Sequence, residues 1–164
     1  MIFLTVGTQF PFDRLVKAVD EVLDKGLIDE ELFAQIGETS YRPHNFESAA
    51  SLEKTLFDKY VTQASGIIGH AGMGIITMAL ANNKPLLVMP RLRKYGEVVN
   101  NHHLSIARRF EELGHLLVAY REEDLPRKAG ELKHFVPKKR QTQAEEVANR
   151  ITGFLEELGG LQGE

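Results

Sequence analysis

The six residues Gly69-His70-Ala71-Gly72-Met73-Gly74 are the part of this sequence best equipped for chemistry. They follow the β-branched pair Ile67 and Ile68 and precede residues 75–81, whose composition predicts a helix, so the pattern is strand, tight turn, helix. The first amide N–H groups of such a helix have no intrahelical partner, and the macrodipole adds partial positive charge, which makes an anion the natural occupant. Glycine lets that anion approach the backbone. A connection that needs glycine only for close packing of strand against helix would leave the same pattern. Three further turns carry residues of the same kind: Gly7-Thr8-Gln9, Gly37, and Pro90-Arg91 at the head of a basic loop that runs to Gly96.

The elements that must position these turns alternate along the chain. Residues 2–6 predict a buried strand, and Pro11 and Asp13 suit the start of a helix. Leu15, Val16, Val19, Val22 and Leu23 then recur at helical spacing until Gly26. Residues 32–36 predict the next strand, and 38–51 a polar loop with room for a short strand. A helix follows over 52–64, then the strand and turn described above. Residues 86–89 predict another strand, 97–113 a helix, 116–119 a strand, 122–132 a short helix, and 141–158 a long amphipathic helix. Alternation of this kind predicts an α/β fold, a Rossmann-like parallel sheet with helices on both faces, in a single domain over 1–164. Ligands of such sheets gather beyond the carboxyl ends of the strands, where all four turns lie.

Composition narrows the function. The 164 residues, 43% hydrophobic with mixed charges, are enough for one well-filled core. A formal net charge of -3 with both signs interspersed argues against a nucleic-acid binder. There is no cysteine, hence no disulfide, thiolate ligand or cysteine nucleophile. The apolar start is too short for a signal peptide, and no apolar run approaches the length of a membrane span, so a soluble cytoplasmic chain is expected. A Gly-x-Gly-x-x-Gly turn after the first strand and a Gly-x-x-x-x-Gly-Lys-Ser/Thr loop are both missing, which disfavours NAD enzymes and P-loop nucleotidases. His102 and His103 are adjacent on a predicted helix and point about 100 degrees apart, with no further ligand to complete a set, so no metal is expected.

Several ordered segments together resemble a known family. They are the start Met-Ile-Phe-Leu-Thr-Val-Gly-Thr-Gln, Ala34-Gln35-Ile36-Gly37, the 69–74 turn, the stretch from Lys84 to Arg91, and Gly96-Glu97-Val98-Val99-Asn100-Asn101-His102-His103. This combination resembles the glycosyltransferase family 28 C-terminal domain, within it the small one-domain subunits, and the likeness is clearest over residues 1 to about 115. The resemblance implies the C-terminal, donor-binding half of a GT-B enzyme, with a membrane-associated acceptor-domain protein supplying the other wall of the cleft and presenting a lipid-linked sugar acceptor. The chain would then be peripheral to the membrane through that partner.

On that resemblance the donor-binding residues are Gly7, Thr8, Gln9, His70, Ala71, Gly72, Met73, Gly74, Thr77, Arg91, Asn100, His102 and His103. The amides of Gly72, Met73 and Gly74 would face the diphosphate of a UDP-sugar, with His70 close by and Thr77 one turn along. Arg91 and residues 100–103 would face sugar or phosphate, and residues 51–56 would lie near uracil. Preorganised amides, a helix dipole and a cation can stabilise a diphosphate leaving group without a metal. Two positions depart from the family pattern: Met78 stands where larger members carry a ribose-binding glutamate, and His103 where small subunits commonly carry a sugar-contacting glutamine. No Asp or Glu occupies a family-defined place for the general base, which is expected on the partner chain. A nucleotide-sugar binding or regulatory module without transferase activity is the alternative function.

Overall fold

A computed structural model gives the fold, and residues 1–138 are described. The predicted helix at 141–158 lies outside the described residues. Six parallel strands form one sheet: β1 (Ile2–Thr5), β2 (Leu32–Gln35), β3 (Glu47–Ala49), β4 (Gly66–His70), β5 (Leu86–Met89) and β6 (Leu117–Val118). Five α-helices accompany them: α1 (Asp13–Asp24), α2 (Lys54–Gln63), α3 (Met73–Ala81), α4 (His102–Glu112) and α5 (Leu125–Leu132). The strand order is β3-β2-β1-β4-β5-β6. The chain therefore builds outward from β1 in one direction, returns to the centre, and builds outward in the other. β1 and β4 are neighbours in register, Thr5 opposite Gly69, and their following loops diverge to opposite halves of the sheet, leaving a crevice at the reversal.

Because the side chains of a strand alternate, every strand of the sheet except the exposed edge strand β3 feeds two cores. Leu4, Ile68, Leu87 and Met89 pack with Leu15, Val19 and Leu125 on one face. Phe3, Ile67, Leu86 and Val88 pack with Val61, Ile76 and Ala107 on the other. The central strands are apolar at nearly every position for this reason, which is why they read as continuous runs rather than alternating ones.

Two departures from expectation shape the site. The helix expected over 97–113 begins only at His102, because the preceding residues are held by specific bonds. The Glu97 carboxylate accepts from Arg14 Nε and Nη2 at 2.8 and 2.9 Å and from the Leu92 backbone N–H at 2.9 Å. Asn101 Oδ1 accepts from the Arg93 N–H at 3.0 Å, and Asn100 Oδ1 from the His102 N–H at 3.0 Å. The second departure is the order within residues 38–46, organised by buried Asp20 on α1. Its carboxylate accepts from the Tyr41 hydroxyl, the His44 and Asn45 backbone N–H groups and the Asn45 amide. Burial alone would raise that carboxyl, but these donors outweigh it and hold Asp20 below the usual carboxylate range.

Candidate functional site

The crevice between the β1 and β4 loops holds two cavity lobes that share Gly7, Thr8, His70 and Gly74. The larger, about 370 Å³, is completed by Gln9, Arg91, His102 and His103 with apolar Phe10, Val98 and Val99. The smaller, about 310 Å³, is walled by Leu52, Phe57, Ile75 and Met78 above Thr5 and Gln35. Gln35 and Thr5 are spent on each other, Thr5 Oγ1 donating to Gln35 Oε1 at 2.6 Å, so this lobe offers mainly apolar contact. Among the described residues neither lobe is lined by a carboxylate.

The glycines of the 69–74 turn separate into two kinds. A Cβ on Gly69 would lie 2.3 Å from Ile75 Cδ1 and 2.7 Å from the Thr5 carbonyl oxygen, and one on Gly72 would lie 2.4 Å from His70 Nε2. Packing explains both. Gly7 approaches the same ring: its φ is +76°, and a Cβ there would stand 3.0 Å from His70 Cε1. Two glycines thus pack on the imidazole of His70. Gly74 is different, since a Cβ there would meet nothing within 4 Å and its φ is not in the left-handed region. A glycine within a helix costs about 0.5–1 kcal/mol relative to alanine, and nothing in this chain's own packing requires one at the cavity mouth.

The surrounding field favours an anion. Gly72 caps α3 without any side-chain hydrogen bond at that end, leaving the Met73, Gly74 and Ile75 amides as its unpartnered first-turn donors. α4 starts at the same cavity with His102 and His103, so two helix N-termini converge. His70 and His103 are both pushed down to about 4, by burial first; Arg91 and the neighbouring imidazoles add to the shift. At neutral pH both rings are uncharged.

Arg91 lines the larger lobe and is at the same time bonded to the fold. It is 3% exposed, and its guanidinium donates to the carbonyls of Pro11 at 2.6 Å and of Val6 and Phe10 at 2.7 Å each. These bonds fasten the 7–12 loop to the end of β5. Burial lowers the guanidinium to about 10, with Glu97 opposing and Arg14 adding, so it stays charged at neutral pH.

Of the other expected residues, Gly7, Thr8, Gln9, His70, Gly74, His102 and His103 come together at the larger lobe. Ala71 and Gly72 are buried beneath it, while Met73, Thr77 and Asn100 are exposed and line neither lobe. The walls from Phe10, Val99 and Phe57 were missed as site residues. The resemblance pointed to Met78, as a departure at a ribose-binding position, and to residues 51–56, which contribute Leu52. Among the described residues no group of three or more His, Cys, Asp or Glu side chains could hold a metal ion, and no helix there is long and apolar enough to cross a membrane.

The glycosyltransferase family 28 C-terminal domain matches residues 1–158, further than the likeness evident in the sequence motifs. The chain belongs to this family. It is 46% identical over 55 residues to the UDP-N-acetylglucosamine transferase subunit ALG13 of Eremothecium gossypii, a match over 34% of this chain and a quarter of that protein's length. In fold it is similar to the solution structure of ALG13, with a TM-score of 0.58 at 19% identity over 92% of this chain and 93% of that one. It is also similar to the glycotransferase of kitacinnamycin, with a TM-score of 0.60 at 22% identity, covering 97% of this chain but 39% of that enzyme. The fold is therefore that of the C-terminal half of GT-B glycosyltransferases.

Proposed function

We propose that this chain is the donor-binding catalytic subunit of a bipartite glycosyltransferase, which takes a UDP-sugar and passes the sugar to a lipid-linked acceptor presented by a membrane-associated acceptor-domain protein. The observation that carries this reading is Gly74, a glycine the fold does not need, at the open amide end of α3 where two differently lined lobes meet. In this reading the diphosphate lies on the amides of Met73, Gly74 and Ile75. The uracil ring occupies the apolar lobe against Leu52, Phe57 and Met78, and the sugar extends into the larger lobe toward His102 and His103. Lobes of about 310 and 370 Å³ suit the two ends of such a ligand. The likeness to a UDP-N-acetylglucosamine transferase subunit supports the donor class.

Transfer joins the acceptor oxygen to the anomeric carbon, breaks the bond from that carbon to the β-phosphate oxygen, and leaves the electron pair on the departing diphosphate. Oriented amides and two helix N-termini stabilise that charge. The acceptor hydroxyl must lose a proton, and the carboxylate-free lining of both lobes supports a general base on the acceptor-domain chain. The localisation that follows is cytoplasmic, at the membrane through the partner. The test measures UDP binding by calorimetry, then UDP release with a lipid-linked acceptor, with and without the co-expressed partner. Binding by the lone chain and transfer only with the partner is the expected pair of results. Full turnover by the lone chain would remove the bipartite reading, and absence of UDP binding would remove the donor site itself.

A further inference from the structure

Two buried imidazoles at the cavity carry an unexplained feature. His70 Nδ1 and His103 Nδ1 are both buried without a hydrogen-bond partner among the described residues. His103 is only 9% exposed, the two ring centroids are 5.6 Å apart, and both rings line the larger lobe. A buried nitrogen without a partner is least costly as a bare lone pair, which leaves the ring proton on Nε2. His103 is therefore not held by a bond to the fold through Nδ1, as a purely structural histidine would be, and at His70 only the Thr5 backbone is near enough to favour the protonated ring, the weakest of the influences on it.

We propose that His70 and His103 form a proton-accepting pair: both are neutral without ligand, and the pair takes up a proton from water when a diphosphate enters the larger lobe, so that counter-charge appears only with the ligand. The proposal rests on the diphosphate reading of the site and adds a property that reading does not require. No bond of the ligand changes in this step; one proton moves from solvent to an imidazole nitrogen.

The charged groups around the pair set the direction. Arg91 acts on both rings, His102 lies 4.4 Å from His103 by ring centroids, and no described carboxylate pairs with either ring. Glu97 is spent on Arg14 and the Leu92 N–H. In the free protein burial first, and the Arg91 charge after it, suppress protonation to about 4. A diphosphate adds a charge of the opposite sign. At an effective dielectric constant near 20, one unit charge about 4 Å away moves an imidazole by roughly three pKa units. A pair held neutral chiefly by burial avoids self-repulsion when the cavity holds water, yet supplies the cation that a metal provides in other diphosphate sites.

The test follows the Cε1–H resonances of the histidines by NMR from pH 7.5 to 5, with and without saturating UDP. The His70→Gln and His103→Gln variants assign the two signals by their disappearance. The expected result is that both signals stay in the neutral form throughout without UDP, and that with UDP at least one titrates inside the window, its midpoint raised by two units or more. This readout follows the rings directly, so ionisation of UDP itself does not enter it. If UDP binds and both signals remain neutral, the pair is not a proton acceptor and the donor site stands without it. If a signal titrates equally with and without UDP, the coupling is refuted. If UDP does not bind the wild-type chain, the donor reading falls and the proposal with it. If a variant fails to fold, the signals are assigned instead by contacts of His70 to the Gly7 and Gly72 protons and of His103 to the His102 ring, leaving the outcomes unchanged.

Discussion

Gly72 and Gly74 stand two residues apart in one turn, yet substitution should act on them through different physics. An alanine at Gly72 would place its Cβ 2.4 Å from His70 Nε2 and 2.7 Å from Cδ2. Gly7 packs near the same ring, which limits its room to shift. Overpacking of this kind should destabilise by about 1–3 kcal/mol. Any loss of UDP binding in Gly72→Ala or Gly72→Asp would then mix unfolding with lost contacts. At Gly74 a Cβ meets nothing within 4 Å, so Gly74→Ala should leave stability unchanged or raise it by up to about 1 kcal/mol through helix propensity. For a chain of this size that is a rise in Tm of about 2–4 °C. Gly74→Asp puts a carboxylate in the first turn of α3, which the helix dipole tolerates or favours. A bound diphosphate would feel that carboxylate at about 4–5 Å, a repulsion of about 1–4 kcal/mol depending on how well water screens it, or from about fivefold to nearly a thousandfold in Kd. Thermal denaturation and calorimetry with UDP on Gly72→Ala, Gly74→Ala and Gly74→Asp decide the matter. The reasoning is refuted if Gly74→Asp folds and binds UDP as tightly as the wild type, or if Gly74→Ala destabilises as much as Gly72→Ala.

Two further outcomes follow from the buried charges. Arg91→Ala strips the donors from the carbonyls of Val6, Phe10 and Pro11 and should lower stability by about 3 kcal/mol or more in urea denaturation, with UDP affinity falling because the 7–12 loop loses its anchor; a change below about 1 kcal/mol would show that the anchor is dispensable. Stability should also fall with acid, because His70 and His103 sit at about 4 in the folded chain against an ordinary 6.5. Between those values the unfolded chain binds protons that the native one refuses, so stability declines as pH drops from 6.5 toward 4, by about 2 kcal/mol per imidazole at pH 5. Asp20, held below the ordinary carboxylate range, adds a loss of the same sign only at still lower pH. Urea midpoints at pH 7.5 and 5 check this, and His103→Gln should remove about half of the difference; equal stability at the two pH values would contradict the neutral pair.

The sequence alone determined the sheet and the rim on which the proposed site lies. An apolar run as short as Leu86-Leu87-Val88-Met89, set between turn signals, fits a strand buried on both faces of a parallel sheet, and that strand falls where the run predicts it. The turns after β1 and β4 announced themselves through glycine, whose backbone freedom is a local property. Tertiary structure decided what could not be local. Whether a glycine serves packing or leaves room depends on atoms distant in sequence: Thr5 at Gly69, the His70 ring at Gly7, open space at Gly74. The sequence placed Arg91 at a strand end but does not show three carbonyls, from residues 80 or more positions away, converging on its guanidinium. The start of α4 was misplaced for the same reason: residues 97–101 have acceptable helical composition, but the bonds of Glu97 to Arg14 and of Asn101 to Arg93 fix them as a loop. That loop sets His103 beside His70, a 33-residue separation that only the β4–β5 pairing and the return of the chain bring to 5.6 Å.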